Sequence, residues 1–568
     1  MLETLIFSKK NQILNNKKKI IIGEWLIAGK KDNYKNYEII KYNQNKIDKL
    51  KEFNYVKTIY KRVLKNLTPI LNELNHKKFR EKDWEILLFY FLSNYIFFAY
   101  DKWKLIKKLK KNFNFVPVQV FSYGKNYFLQ ESSLYFYNQL KTDNWDDWLY
   151  SQIIKAQKFR YIEKKINTVV SKAKAFDNLK KLKLQKLLFL RNDNNYFLKS
   201  LALPKSTKIK LNLKLNKNLR IYNDIYFSKH RKAITKRNLI KKIKSKDQFE
   251  KFIYDTLPEI LPKNYIENYN FIEESIKFLN WPKKPKIIFT SFDHYFNDSF
   301  KIYTINKTRD SSKLYILQHG HQGHHDFCGT YYEKKICSKY FTWGNKSLEK
   351  NVLPLFCPTT SGQIIKKNIK KYLLISYTEF SLKPWKQQVY PRVIDETNLY
   401  KDNIINLIKS LNKDLKKRIA LKVYNSDGKK YITNEIKKKF KNLDFISINK
   451  SKRGFEYSKN YKLSIETINS TGFIELLSLN MPVILITDKK FFHIKKEYKK
   501  FYDQLIKCNV IFFDKKKAAN FIKDNINNID TWWFHKNTQK KIKYFCDHLC
   551  KYEDDLNNGL NKIIKEII

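Results

Sequence analysis

The sequence predicts an α/β protein of two Rossmann-like, doubly wound units, with a helical N-terminal region and helices at the C-terminus. Three observations carry this. After Trp281-Pro282 short apolar runs alternate with helical stretches: Lys286–Thr290 reads as a strand, Ser291–Asp298 as a loop, Ser299–Ile305 as a helix, and Leu314–Leu317 and Tyr340–Gly344 as further strands. Such alternation implies a parallel sheet. Past Asn351–Lys367, where Pro354, Pro358 and Gly362 mark a linker, the alternation resumes. Between the two, the apolar run Lys313–Leu317 breaks into Gln318-His319-Gly320-His321-Gln322-Gly323-His324-His325, a loop holding four of the ten histidines. Open α/β sheets bind ligands at the carboxyl ends of their strands, so this loop reads as part of an active site.

Length and composition narrow the classes. A chain of 568 residues exceeds what one core usually serves, and two or three domains are expected. A formal charge of +60 and a pI near 9.8 would ordinarily point to nucleic acid or an anionic membrane. Here the excess is nearly all Lys, spread along the chain without Arg-rich stripes, and it comes with abundant Asn and Ile, as AT-rich codon usage produces. That pattern argues against specific nucleic-acid readout. It leaves attraction to anionic lipid headgroups, which needs only net positive potential. The six cysteines lack the paired spacing of a zinc ribbon or a disulfide scaffold and read as reduced thiols of a cytosolic protein. Met1–Lys10 has no apolar core for a signal peptide. The most hydrophobic segment, Ile86–Tyr100, falls short of the ~20 apolar residues that span a bilayer, and Ser93 and Asn94 within it favour a buried helix.

Taken in order, Lys19–Ile22 is a short strand followed by Gly23-Glu24-Trp25. Glu24 beside the Trp25 indole offers a carboxylate and a stacking face to a sugar, or simply a turn with a packed ring. Asp48–Leu109 carries apolar residues at helical spacing, as in Trp84, Leu87, Leu88 and Phe91. Lys155–Arg237 is dense in Lys and Asn and reads as an insertion; within it the alternation Lys208–Leu215 predicts a solvent-edged strand. In the second unit Tyr372–Ser376, Arg418–Tyr424, Phe445–Ile448, Leu463–Glu466 and Pro482–Ile486 are expected strands, with helices over Asn403–Asn412, Ile432–Phe440 and up to Leu479. Asn480-Met481-Pro482 stops the last helix and starts a strand. Asp530–Ile568 reads as a helical tail anchored by Trp532-Trp533. The expected domains are 1–350, with the basic insertion at about 155–237, then 368–529, then the tail 530–568.

The chemistry concentrates in two places. His319 directly follows a strand and is the candidate general base, or the donor to a phosphate or carboxylate; Asp293 and Glu333 are further catalytic candidates near strand ends. Gln318 and Gly320 flank His319, Gly320 allowing close approach of the backbone. No helical His-x-x-x-His with a catalytic Glu is present, so no metal site is expected. In Ser464-Ile465-Glu466-Thr467-Ile468-Asn469-Ser470-Thr471-Gly472 a strand passes into a helix whose free N–H groups and dipole favour an anion. Ser470, Thr471 and Gly472 are therefore candidate phosphate ligands, unless Ser470 or Thr471 merely caps the helix. Glu475 lies too far along for a reciprocal capping box and is free for a ribose. Lys422, on an expected strand, is a candidate for neutralising phosphate.

Gly23-Glu24-Trp25, Ser291–Phe300, Gln318-His319-Gly320, Glu333, Phe341-Thr342-Trp343-Gly344, Ser470-Thr471 with Glu475, Pro482 and Trp532-Trp533 occur in the order of one family. The chain resembles, over nearly its whole length, the leptospiral-type transferase family of bacterial surface-carbohydrate and O-antigen gene clusters. The family pattern reads Gln-His-Gly-Gly; this chain has His321-Gln322-Gly323 after Gly320. The resemblance implies a metal-independent glycosyltransferase of GT-B type, two Rossmann-like domains facing a cleft. It implies a nucleotide-sugar substrate as donor, no cofactor, a surface polysaccharide, lipopolysaccharide or lipid-linked acceptor, and a cytoplasmic place on the inner face of the plasma membrane. Glu24, Trp25, Gln318 and Gly320 would then lie on the acceptor side. Two rivals remain open at this point: a polyol-phosphate transferase of teichoic-acid type on the same fold, and a non-catalytic basic protein that binds nucleic acid or membrane.

Overall fold

Apolar residues three and four apart build two long helices, α1 (Lys46–Asn75) and α2 (Glu81–Asn112), in the computed structural model of the chain. Residues 2–11, 18–23, 26, 37–40, 46–167, 194–216, 222, 231–320, 324, 330–344, 349–366, 368–369, 371–379, 394–425, 430–446, 448 and 452–568 are described. They fall into two units. The first draws on Met1–Ser200 and Asn218–Leu314, the second on Leu201–Lys217, Tyr315–Leu382 and Gln388–Ile568.

The first unit holds α1 and α2. Most of Ile86–Tyr100 is buried inside α2, which explains its hydrophobicity, and among the described residues no helix is long and apolar enough to cross a membrane. β1 (Thr4–Ile6), β2 (Lys19–Ile21) and β3 (Tyr37–Ile39) form a parallel sheet, β4 (Val118–Tyr123) pairs in parallel with β5 (Tyr161–Ile166), and β6 (Tyr196–Lys199) with β7 (Ile287–Thr290). β8 (Lys313–Leu317) opens beside β7, the Lys313 N–H donating to the Lys286 carbonyl at 2.9 Å. Helix Asp298–Arg309 is tied to α2 by the fully buried Lys301, which pairs with Asp298 at 2.8 Å and donates to the Leu87 carbonyl at 3.2 Å. An ammonium so far from water survives because several acceptors surround it; burial still pulls its pKa down.

The division between the units falls inside β8. From Tyr315 onward that strand pairs in parallel with β9 (Lys339–Thr342), and β9 with β10 (Val352–Pro354). The stretch read as a linker thus contributes a strand and then a turn held by the tail: Cys357 N–H donates to the Lys551 carbonyl (2.7 Å) and Gly362 N–H to that of Glu553 (3.0 Å). The larger sheet contains β11 (Lys371–Glu379), β12 (Ile419–Asn425), β13 (Asp444–Ile446), β14 (Tyr461–Glu466), β15 (Val483–Ile486) and β16 (Ile511–Phe512) in the order β13-β12-β11-β14-β15-β16, every pair parallel. This is the doubly wound order, with its switch point between β11 and β14.

One expected strand is a helix. Lys208–Leu215 lies within the helix Lys205–Asn216. A period-two pattern also places Leu211 and Leu215 four apart, on one helical face, and Lys and Leu are strong helix formers. Burial follows the helical alternative, Thr207 and Leu211 being covered and Leu213 exposed. The Lys214 ammonium reaches Asn561 of the tail at 3.0 Å.

The helix Thr471–Ser478 ends in a Schellman motif. Asn480 takes φ +50, its N–H donates to the Leu477 carbonyl, and the Met481 N–H reaches back to Leu476, both at 3.0 Å. Asn is one of the few residues that visits this region without strain. The buried Trp533 indole then donates to the Asn480 carbonyl (3.1 Å) and to its Oδ1 (2.9 Å), so Trp533 is the anchor its sequence position suggests. Asn480→Ala removes both the tolerance for positive φ and one indole acceptor, and should cost about 1–3 kcal/mol in urea unfolding; a loss below about 0.5 kcal/mol would show that the motif does not hold the helix end.

Candidate functional site

The two stretches singled out by sequence meet within the second unit. A Cβ built on Gly320 would lie 2.9 Å from Thr471 Oγ1, so only glycine lets the histidine loop lie against the helix Thr471–Ser478. Gln318 fixes the loop from below. Its backbone carbonyl accepts the Trp343 indole N–H at 2.9 Å and its Oε1 the Trp343 backbone N–H at 3.1 Å, while its own amide turns to the Gly320 carbonyl. Gln318 is thus buried as a clamp on the loop backbone.

His319, partly buried, is the titratable group of the loop. Burial pushes its imidazole from the usual 6.5 down to about 4, because the charged form loses hydration. The ring is neutral at physiological pH and able to accept a proton. Farther along the loop, His324 is fully buried, with Nδ1 3.0 Å from the Tyr502 hydroxyl, and the Asn469 side-chain amide donates to the same hydroxyl at 3.0 Å. With Asn469 as donor, the phenolic proton is left for His324 Nδ1, which puts the imidazole proton on Nε2. This bridge joins the histidine loop to the residue before Ser470. Sequence reading missed it, since nothing marks Tyr502 among the chain's 38 tyrosines.

Ser470 is the N-cap of its helix, its Oγ accepting from Phe473 N–H (3.4 Å) and donating to Glu466 Oε2 (3.3 Å). Capping leaves the first helical amides, those of Thr471 and Gly472, without intrahelical acceptors. Glu475 is buried, 3.9 Å from the Arg453 guanidinium. Burial raises its carboxyl pKa, opposed by a hydrogen bond from Thr359 and by the charges of Arg453 and Lys422. Lys422 lies buried on β12, 3.7 Å from Glu466 Oε1 and donating to the Gly454 carbonyl at 3.3 Å. Glu466 was not foreseen, although a carboxylate closing an apolar strand is a visible signal.

The remaining candidates are placed elsewhere. Glu333 is wholly buried in the helix Thr330–Ile336 of the second unit. Asp293 belongs to the first unit, where it begins the short helix Asp293–Phe296 and faces the buried Lys199 at 3.6 Å. Glu24, Trp25, His321 and His325 lie outside the described residues, among which no cluster of His, Cys, Asp and Glu could hold a metal. The described cysteines, Cys337, Cys357, Cys508, Cys546 and Cys550, are free thiols.

Two outcomes follow from this geometry. Gly320→Ala should destabilise by about 1–3 kcal/mol, and Thr471→Ala in that background should recover most of the loss; additive effects would mean the two residues do not touch. The folded pKa of His319 lies below the unfolded one, so the stability tied to its neutral ring is complete above about 6.5 and is lost as pH falls towards 4. His319→Gln should therefore lose less stability between pH 7 and pH 5 than the parent, and parallel curves would refute the depressed pKa.

The chain matches the family described as LIC12162 family transferase over residues 3–564. No curated protein sequence matches it. Among solved structures it is similar to MnaA of S. aureus with UDP (11% identity, 53% of this chain and 77% of that one, TM-score 0.32). It is also similar to the wall teichoic acid polymerase TagF (12%, 50% and 73%, 0.30) and the N-terminal domain of Candida albicans trehalose-6-phosphate phosphatase (12%, 79% and 96%, 0.32). These likenesses are distant, and the fold rests on the strand orders themselves. The family match covers both units and both stretches that meet at Gly320 and Thr471: the chain belongs to the LIC12162 transferase family.

Proposed function

We propose that this transferase is a glycosyltransferase of GT-B type, moving a sugar from a nucleotide-activated donor to a surface polysaccharide, lipopolysaccharide or lipid-linked acceptor on the cytoplasmic side of the membrane. The observation that carries the reading is the meeting of Gly320 and Thr471, which brings the loop that carries His319 against a helix N-terminus at the switch point of a doubly wound sheet. A helix N-terminus favours the donor phosphates, and Thr471, Gly472 and Ser470 are their ligands, with Glu475 and Lys422 completing the donor side. In the reaction the acceptor hydroxyl oxygen bonds to the anomeric carbon as the bond from that carbon to the phosphate oxygen breaks. His319 takes the hydroxyl proton. The helix dipole and the hydroxyls stabilise the charge arriving on the leaving phosphate, so the scheme needs no metal. Net positive charge along the chain draws it to the anionic surface that carries the acceptor.

The test is a thermal-shift screen of the full chain against CMP, CDP, UDP, GDP and TDP, with and without EDTA. One nucleotide, at about 100 times its dissociation constant, should stabilise by about 2.7 kcal/mol regardless of EDTA, and Ser470→Ala with Thr471→Ala should abolish the shift. His319→Ala should keep the shift while turnover falls by ~10²-fold or more. No shift with any nucleotide sinks the donor assignment, and a phosphodiester in place of a glycosidic product turns the reading to polyol-phosphate transfer.

A further inference from the structure

Three side chains stand side by side across the centre of the second unit's larger sheet. Ser376 of β11 is in register with Lys422 of β12 on one side and with Glu466 of β14 on the other, so the pleat turns all three to one face. Their exposures are 5%, 7% and 5%, which places them in the interior. Lys422 donates to the Gly454 carbonyl and Glu466 Oε2 accepts from Ser470, both at 3.3 Å, yet part of the row's polar capacity is unspent. The 3.7 Å between Lys422 Nζ and Glu466 Oε1 is too long for a hydrogen bond, and neither Ser376 Oγ nor Glu466 Oε1 makes one.

Two glycines stand next to this row. Gly454 opens the helix Gly454–Ser458, and a Cβ there would lie 3.7 Å from Lys422 Nζ; Gly472, in the first turn of Thr471–Ser478, would place one 3.7 Å from Glu466 Oε2. No side chain from either position covers the row. Buried polar atoms without partners cost free energy until an occupant satisfies them. The signs of the groups select that occupant. A bare phosphate would suit Lys422 but meet the Glu466 carboxylate as a like charge. A carbohydrate hydroxyl accepts from Lys422 and donates to Glu466 at once, with Ser376 able to do either.

We infer that Lys422, Ser376 and Glu466 form the subsite for the hydroxyls of the transferred sugar, adjoining the helix N-terminus that holds the phosphates. This rests on the donor-site reading proposed for the same sheet edge. It moves Lys422 from the phosphate to the sugar, and it makes Glu466 and Ser376 determinants of which sugar is taken.

The test is calorimetric titration of the full chain with matched pairs of a bare nucleotide and its sugar conjugate: UDP and UDP-glucose, GDP and GDP-mannose, TDP and TDP-glucose. The parent should bind one conjugate more tightly than its bare nucleotide. Glu466→Gln should weaken the conjugate by about tenfold, the size of one charged hydrogen bond, and leave the bare nucleotide within about twofold. Should Glu466→Gln fail to fold, Ser376→Ala, which deletes a single hydroxyl from the row, must narrow the same gap. Equal weakening of both ligands would make the row a phosphate site, and no change in either would make it a water site only; each overturns the inference. A parent that binds nucleotides without distinguishing the conjugate overturns it alone, whereas a parent that binds no nucleotide removes the donor site and the inference together.

Discussion

The approach of Gly320 to Thr471 is the constraint on which the site depends. With 2.9 Å between a would-be Cβ and the threonine oxygen, the loop after β8 and the helix after β14 cannot be positioned independently. Each is held from behind by its own device. Trp343 donates two hydrogen bonds to Gln318 that fix the loop, while Asn480 and Trp533 lock the far end of the helix. A third tie, the Tyr502 hydroxyl between His324 and Asn469, spans the two directly. The tail, which contributes Trp533, is therefore part of the machinery that places the helix N-terminus.

Charge at the candidate site is informative where a buried partner holds it in place. The formal +60 is carried mostly by solvated lysines, whose individual ion pairs are worth little. At the candidate site Lys422 faces Glu466 and Arg453 faces Glu475, so two cations are matched by two carboxylates. A matched set neither repels a diphosphate outright nor draws in any polyanion, and it leaves selection to geometry and hydrogen bonding.

How much of this the sequence reveals depends on the range over which each feature is encoded. Period and punctuation are local, and β7, β8, β11, β12, β14 and β15 stand where the apolar runs place them; Ser470 is likewise legible as a cap. Lys208–Leu215 misleads because alternation over eight residues fits a helical face as well as a pleat, and burial of Leu211 with exposure of Leu213 decides between them. The row Lys422–Ser376–Glu466 cannot be read from the sequence at all. Its members become neighbours only through the strand order β12-β11-β14, which brings together residues far apart in the chain. The same is true of Tyr502 between His324 and Asn469. Gln318, which the resemblance places on the acceptor side, also clamps the loop backbone through Trp343, a role only the fold reveals.

The electrostatics of His319 connect the two halves of the proposed reaction. Burial lowers its pKa to about 4. A ring so depressed is neutral and available but is a weak base. On the proposed reaction a donor diphosphate at the helix N-terminus would add negative charge near the loop that carries the imidazole, raising the pKa back towards neutrality. Base strength would then rise only once the donor is bound, when the acceptor proton has to be removed. A permanently stronger base could not be tied to occupancy in this way, and the link requires the loop that carries His319 to lie against the helix as Gly320 allows.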